Sequence, residues 1–370
     1  MTTSNRRSPT ATIILTMFLF GASNVALAAS SWEVTGNAVM THQTTNKSAV
    51  GNETAGSADL LVQRQSGAGT WLAHIEASST PKLTGVSAFL PEANADVGTA
   101  LDKDSEGRIQ ASELYYSHSF TEDRTLSLGL IDVSGFFEQS RIASDETTQF
   151  LGAFFVGNPT IEFPDYTQGI VYEAGLSEGV VLRAALASSE GLADNPERSY
   201  SQLLTVEDGE GVFAIASASR ESNHWLLRAG IWLNTADDQT LEITQESENS
   251  YGAFMLAGFQ QGRHSANIRL GLANPDVSMG AAFTSVAYRY QLGRYTAGAG
   301  LGRTFLSAKE PATELDDSNQ YELFLRYSAS KNFFLTADLQ RIENSNFGIA
   351  PDNRNQHATI YGVRLTWLVN

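Results

Sequence analysis

Along most of this chain, apolar and polar residues alternate one for one. In TIYGVRLTWLV, Tyr361, Val363, Leu365, Trp367 and Val369 share one phase, and Ile360, Gly362, Arg364 and Thr366 share the other. YELFLRYS and ANIRLGLA repeat the beat, setting Leu323 and Leu325 against Glu322 and Arg326, and Ile268 and Leu270 against Asn267 and Arg269. Successive side chains of a strand point to opposite faces, so this period predicts strands with one apolar and one polar side. Sixteen segments qualify: 31–41, 57–66, 69–78, 109–119, 124–132, 168–175, 179–187, 211–220, 223–233, 249–260, 263–273, 281–291, 294–304, 319–329, 332–341 and 357–368. Each has about 8–12 residues, the span of a tilted membrane strand.

The connections are sorted. Short turns at Ser66-Gly67-Ala68, Ser177-Glu178, Gln261-Gly262, Leu292-Gly293 and Ser330-Lys331 alternate with long polar loops. A soluble β-sandwich also alternates along its strands, but nothing in it sorts its connections by rim. An antiparallel transmembrane β-barrel of 16 strands does, with tight periplasmic turns at one end and long extracellular loops at the other. Beyond residue 30 no stretch nears the roughly 20 apolar residues of a membrane helix, and a closed barrel is the other structure that satisfies its own backbone in lipid. Trp225, Tyr288, Tyr295, Phe333 and Trp367 sit near strand ends on the apolar phase, where aromatic girdles meet the membrane interface.

The longest break in the beat runs for roughly thirty-five residues. FFEQSRIASDETTQFLGAFFVGNPTIEFPDY (136–166) lies in the connection between the fifth and sixth strands, the third extracellular loop if the N-terminus is periplasmic. It carries Phe136, Phe137, Phe150, Phe154, Phe155, Phe163 and Tyr166. Each such side chain can bury roughly 150–250 Å², so the segment has to lie against protein. With the outside of the barrel committed to lipid, the inner wall is the surface left. Residues 133–167 are therefore expected to fold inward and constrict the bore, with Arg141, Glu138, Asp145 and Glu146 facing a basic wall. Ser144 reads as a helix N-cap with Asp145 and Glu146 in the first turn, putting Phe150 and Phe154 on one side of a short helix. Pro159 and Pro164 stiffen the return. No helix is expected within 31–119.

The same stretch carries a family likeness. GLIDVSGFFEQSRIASDETTQFLGAFFVGNPTIEFPDYTQGIVYEA resembles the carbohydrate-selective porins of the OprB type. The matching positions are Gly129 and Asp132, then Phe136 and Phe137, Asp145 to Phe150, Asn158 to Pro164, and Gly169. YELFLRYSASKNFFLTADLQRIEN looks like that family's closing hairpin, and the resemblance runs from about residue 109 to the end. It implies an outer-membrane barrel whose constriction loop passes small carbohydrates by passive diffusion.

The polar phase, read as lumen, places Arg183, Arg228, Arg269, Arg289, Arg326 and Arg364 on the inner wall with Glu76, Glu113, Glu173, Glu322 and Asp338. Charge ladders of this kind are how pores select, or else ion pairs that only stabilise a polar wall. Trp232 and Phe324 also fall inward, suited to a sugar face or to loop packing. Gly298, Gly300 and Gly302 in GAGLG mimic a nucleotide loop, but no strand–helix unit follows, so they are expected to clear space for a loop or solute. His42, His74, His118, His224, His264 and His357 lack metal-ligand spacing, no Gly-x-Ser-x-Gly elbow occurs, and no cofactor is expected.

Composition narrows the rest. Residues 1–28 have the three-part form of a signal peptide: Arg6 and Arg7, the apolar run 11–22, and Ala26-Leu27-Ala28. Its removal leaves residues 29–370 as one barrel domain of about 342 residues and takes the formal charge from −17 to about −19. That acidity argues against a nucleic-acid partner. There is no cysteine, so disulfides contribute nothing. The reading is an outer-membrane porin for small sugars, inserted by the barrel-assembly machinery into lipid and lipopolysaccharide. Acidic loop residues (Asp237, Asp238, Glu242, Glu246, Glu248; Glu314, Asp316, Asp317) are either solvated surface or divalent-cation ligands at lipopolysaccharide. A general or anion-preferring pore, a barrel enzyme and a plugged structural barrel stay open beside it.

Overall fold

The structure, a computed structural model, describes residues 31–369 except 177–178, 205–210, 243–246, 312–313 and 349–356. The expected signal peptide, the Ser177-Glu178 turn and Glu246 lie outside the described residues. Sixteen antiparallel strands close on themselves, each paired with its sequence neighbours and β1 with β16. They are β1 Ser31–Thr45, β2 Glu53–Ser66, β3 Gly69–Ser78, β4 Ile109–Thr121, β5 Arg124–Ile131, β6 Thr167–Gly175, β7 Val180–Ser188 and β8 Val212–Glu221. There follow β9 Trp225–Gln239, β10 Ser247–Gln261, β11 His264–Ala273, β12 Gly280–Leu292, β13 Tyr295–Leu306, β14 Ser318–Ser328, β15 Phe333–Glu343 and β16 His357–Val369. The pairs Ser31↔Gln65 and Gly36↔Val369 put both ends of the barrel at the short-turn rim.

The expected segments match these strands closely, and the differences gather at the long-loop rim. There β1, β2, β9 and β10 continue past the apolar alternation, because ladder hydrogen bonds need no apolar side chains once the strand has left lipid. At the other rim Gly67, Gly262 and Gly293 adopt φ of 58°, 61° and 59°, the left-handed backbone that two-residue hairpins demand.

One phase of every strand faces outward. Leu227, Ile231, Leu272, Leu301, Leu323 and Val363 are exposed there, and Trp225, Tyr288, Tyr295, Phe333 and Trp367 form a belt near the short turns. Rings cluster within the belt, Trp225 with Phe259 at 4.5 Å and Tyr295 with Tyr327 at 5.2 Å. An outward face of this kind is stable only against hydrocarbon.

Among the described residues, L3 (132–166) and L2 (79–108) both pack on the inner wall. L3 was expected to; L2 was not. L2 contains a one-turn helix, α1 (Val86–Phe89), which corrects the expectation of no helix within 31–119. Val86, Leu90 and Ala93 bury against Ile342, Ala358 and Ile360 of the inner wall.

Candidate functional site

L3 leaves β5 at Asp132, whose carboxylate accepts the backbone N–H of Ser134 at 2.8 Å and of Gly135 at 3.1 Å. That turn starts the one-turn helix α2 (Ser134–Phe137) and sends Phe136 and Phe137 into the bore. They land on an apolar patch of wall made by Val171, Ala185, Ile215, Trp232 and Phe254. Beyond it, Ile142, Phe150 and Phe155 pack on Ala287 and Phe324, Phe150 meeting Phe324 edge-on at 5.0 Å. The inward aromatics Trp232 and Phe324 thus serve loop packing. Glycines make the room: a Cβ at Gly300 would lie 2.6 Å from the Phe155 ring, and one at Gly302 would lie 3.0 Å from Phe154.

Between the apolar contacts, wall side chains take the loop's backbone. Arg228 donates to Phe137 O at 2.7 Å, Arg289 to Arg141 O at 3.3 Å and Arg326 to Thr148 O. Arg364 donates to Glu146 O and, at 2.6 Å, to Gln149 O, while the Thr366 hydroxyl donates to Thr147 O at 2.6 Å. Arg269 is the hub. Its Nε donates to Glu138 Oε2 at 3.0 Å, and its Nη atoms donate to the carbonyls of Phe155, Ala143 (2.7 Å) and Val156 (2.9 Å) and to Ser144 Oγ (2.6 Å). Burial pushes the Glu138 carboxyl above its ordinary range even with this guanidinium beside it.

These bonds explain where the expected helix went. The Glu146–Gln149 carbonyls, which would accept bonds within a helix, are occupied by Arg364, Thr366 and Arg326. The N–H groups of Leu151 and Gly152 go to the Glu322 carboxylate at 2.9 and 2.7 Å, and that of Phe154 to Gln320 at 3.0 Å. The result is a single turn capped by Asp145, whose Oδ1 accepts from the N–H of Thr147 and of Thr148 at 3.0 Å each. In this stretch helix begins only at α3 (Ala153–Val156), with Gln320 taking the N–H of Phe154 and Glu322 the two N–H groups just ahead of the helix. Ser144 is an Arg269 acceptor, not an N-cap.

A second correction concerns the wall. Arg228, Arg269, Glu322, Asp338 and Arg364 do point inward, but the loops cover them; Arg269 is 0 % and Arg364 1 % exposed. They anchor loops and do not line open water. Arg289 and Arg326 are partly covered. Asp338 accepts from Gln340 at 2.9 Å, and Gln340 also donates to Ala93 O of L2 at 2.8 Å. L2 meets L3 directly through Ala95 N–H to Leu151 O at 2.9 Å. Nothing in the period of the chain separates an open from a covered inner face. A signal for L2 did exist, in Val86, Phe89 and Leu90 within its second-longest connection.

Partial exposure on the inner face remains chiefly along β2–β7: Asp59, His74, Glu76, Glu113, Glu173 and Arg183. Arg183 pairs with Glu173. On L3, Arg141 pairs with Glu221 near a short turn, Asn158 donates to Leu270 O at 3.0 Å, and Pro159 is exposed. The expected basic open wall is thus replaced by one richer in acids, because the loop itself consumes the arginines.

A closed barrel with an apolar exterior and inward loops defines an outer-membrane diffusion channel, a porin, pointing to a channel and not an enzyme. The chain belongs to the carbohydrate-selective porins of the OprB family, whose model matches residues 43–368, well upstream of the resemblance read from residue 109. The fold is similar to that of Pseudomonas putida OprB in its high-pH structure, with a TM-score of 0.70 at 12% identity, covering 91% of this chain and 94% of that one. A loop-deletion mutant of OmpT from Vibrio cholerae follows at a TM-score of 0.58 and 11% identity, over 92% of this chain and 100% of that one. A 62-residue stretch, 17% of this chain, is 32% identical to an uncharacterized protein of Aquifex aeolicus and spans 20% of that protein's length.

Proposed function

We infer that this porin passes small carbohydrates by passive diffusion, through the space left between L3 and the inner faces of β2–β7, with residues 133–167 as the constriction. The observation that carries the reading is the attachment of L3. Five wall arginines hold its backbone carbonyls across half the circumference, from Arg228 on β9 to Arg364 on β16. A loop fastened at that many points is a fixed wall and sets a fixed width. The opposite wall offers carboxylates and a guanidinium that exchange hydrogen bonds with hydroxyl groups. An anion-preferring pore gains no support from the arginines, since their donors are turned onto loop carbonyls. Outside the bore, the aromatic belt supports a lipid setting, and insertion by the barrel-assembly machinery goes with that reading. Two of the acids weighed as solvated surface or as cation ligands at lipopolysaccharide have partners: Glu242 pairs with Lys309 at 3.0 Å, and Asp317 with Arg303.

Liposome swelling tests the reading. Proteoliposomes should swell faster in hexoses than in neutral amino acids of similar mass. Equal rates for the two classes would make this a general diffusion pore.

A further inference from the structure

On the wall offered to sugar hydroxyls, the inner faces of β2, β3 and β4 hold a group of side chains that converge more closely than hydroxyl binding requires. His74, in the middle of β3, stands between Asp59 on β2 and Glu113 on β4. Its Nε2 lies 3.0 Å from Asp59 Oδ1, and its Nδ1 lies 3.3 Å from Glu113 Oε2. Glu76 shares the face two residues on, and one donor atom each from Asp59, His74 and Glu76 lie within 4.8 Å of one another. The side chains of His74, Asp59 and Glu113 are 13%, 17% and 14% exposed, so water and ions can reach them, unlike Arg269.

The position of each group follows a pattern. Two carboxylates and one imidazole nitrogen converge, while Glu113 takes the far ring nitrogen. A carboxylate there fixes the tautomer and orientation of a metal-bound imidazole. Glu76 is itself held in place, accepting from the Ser112 hydroxyl and from Thr99 Oγ1 at 3.4 Å. Among the described residues, no Lys or Arg pairs with Asp59 or Glu113. A separate observation comes from β1. Asn37 is the register partner of Asp59, and its side-chain oxygen is buried with no hydrogen-bond donor. Such an oxygen suits a cation or the water bound to one.

We propose that Asp59, His74 and Glu76 form a divalent transition-metal site of the zinc type on the open wall of the bore, with Glu113 as the orienting carboxylate. The imidazole favours zinc over calcium or magnesium, which prefer all-oxygen shells. Tetrahedral zinc sets its donors roughly 3.3–3.5 Å apart at ordinary bond lengths, so side-chain rotation closes the set. Three protein ligands leave one position for water. A bound ion would offset the charge of this acidic wall inside the permeation path and lower the current carried by cations.

The test uses tag-free, refolded, chelator-stripped protein in detergent, titrated calorimetrically with zinc chloride. Wild type should take up one zinc per chain, saturably. His74→Gln should bind at least tenfold more weakly, Glu113→Gln about 10–100-fold more weakly, and His264→Gln at the short-turn rim should match wild type. Cobalt should give a visible ligand-field band that His74→Gln abolishes. Asp59→Asn and Glu76→Gln repeat the test should His74→Gln fail to fold, as judged by heat-modifiable gel mobility. Absence of saturable uptake by wild type would overturn the proposal, as would uptake unchanged across the folded ligand variants.

Discussion

Replacing residues 140–160 by a short Gly-Ser linker should raise single-channel conductance severalfold and erase preference among sugars, while the barrel still assembles. The deleted segment contains α3 and the loop side of the second apolar patch (Ile142, Phe150 and Phe155), and it accepts bonds from four of the five wall arginines. None of the strand ladders passes through it, so closure of the sheet from β1 to β16 is untouched. A barrel of this strand number encloses a water-filled bore once nothing fills it. The arginines released from the loop would then face water and add an anion-attracting field that the intact channel lacks. Planar-bilayer recording of the deletion against wild type reads both effects. Unchanged conductance in a correctly inserted deletion would place the constriction elsewhere, and L2 would be the first candidate.

Arg269→Met should have the largest effect of any single substitution in the bore. Methionine fills much of the volume but makes none of the bonds to Glu138, Ala143, Ser144, Phe155 and Val156. Removing one partner of a buried ion pair typically costs about 3–5 kcal/mol, because the remaining charge is left unpaired in a dry site. Here that charge is Glu138, 3 % exposed. The expected results are a lower unfolding temperature and a noisy current with larger open states as L3 detaches. Arg269→Met with Glu138→Gln should recover much of the stability but not the quiet current, since the carbonyls stay unbonded. If Arg269→Met keeps wild-type stability and noise, the hub has no mechanical role.

The barrel was legible because its cause is local. Alternation, turn length and glycine placement act within ten or so residues, and lipid on one side imposes the same period on every strand. L3 was legible for a related reason, since seven aromatics in one connection have few surfaces to go to. Its internal structure was not. Asp145 and Glu146 after Ser144 make a good helix start in isolation, but the carbonyls that would propagate it belong to Arg326 and Arg364, far away in the chain. Helix propensity is a weak prior, and donors from β14 and β16 override it. The arginines show the same limit. Arg269 and Arg183 have the same phase and read alike, yet one lies under a loop and the other beside water. Period-two patterning distinguishes in from out; it carries no information about what covers the inside.

The absence of cysteine allows the most direct test of L3 as the constriction. Gly157 follows α3, its backbone is extended with φ −133°, and a Cβ there meets nothing within 4 Å. Gly157→Cys therefore adds a single thiol pointing into open space inside the barrel. The channel should conduct as wild type until a bulky methanethiosulfonate reagent is added, and then lose most of its current, with dithiothreitol restoring it. Leu83→Cys, on an exposed stretch of L2, should label without blocking. Complete labelling of Cys at position 157, confirmed by mass, with current unchanged would contradict the placement of L3 in the path of permeation.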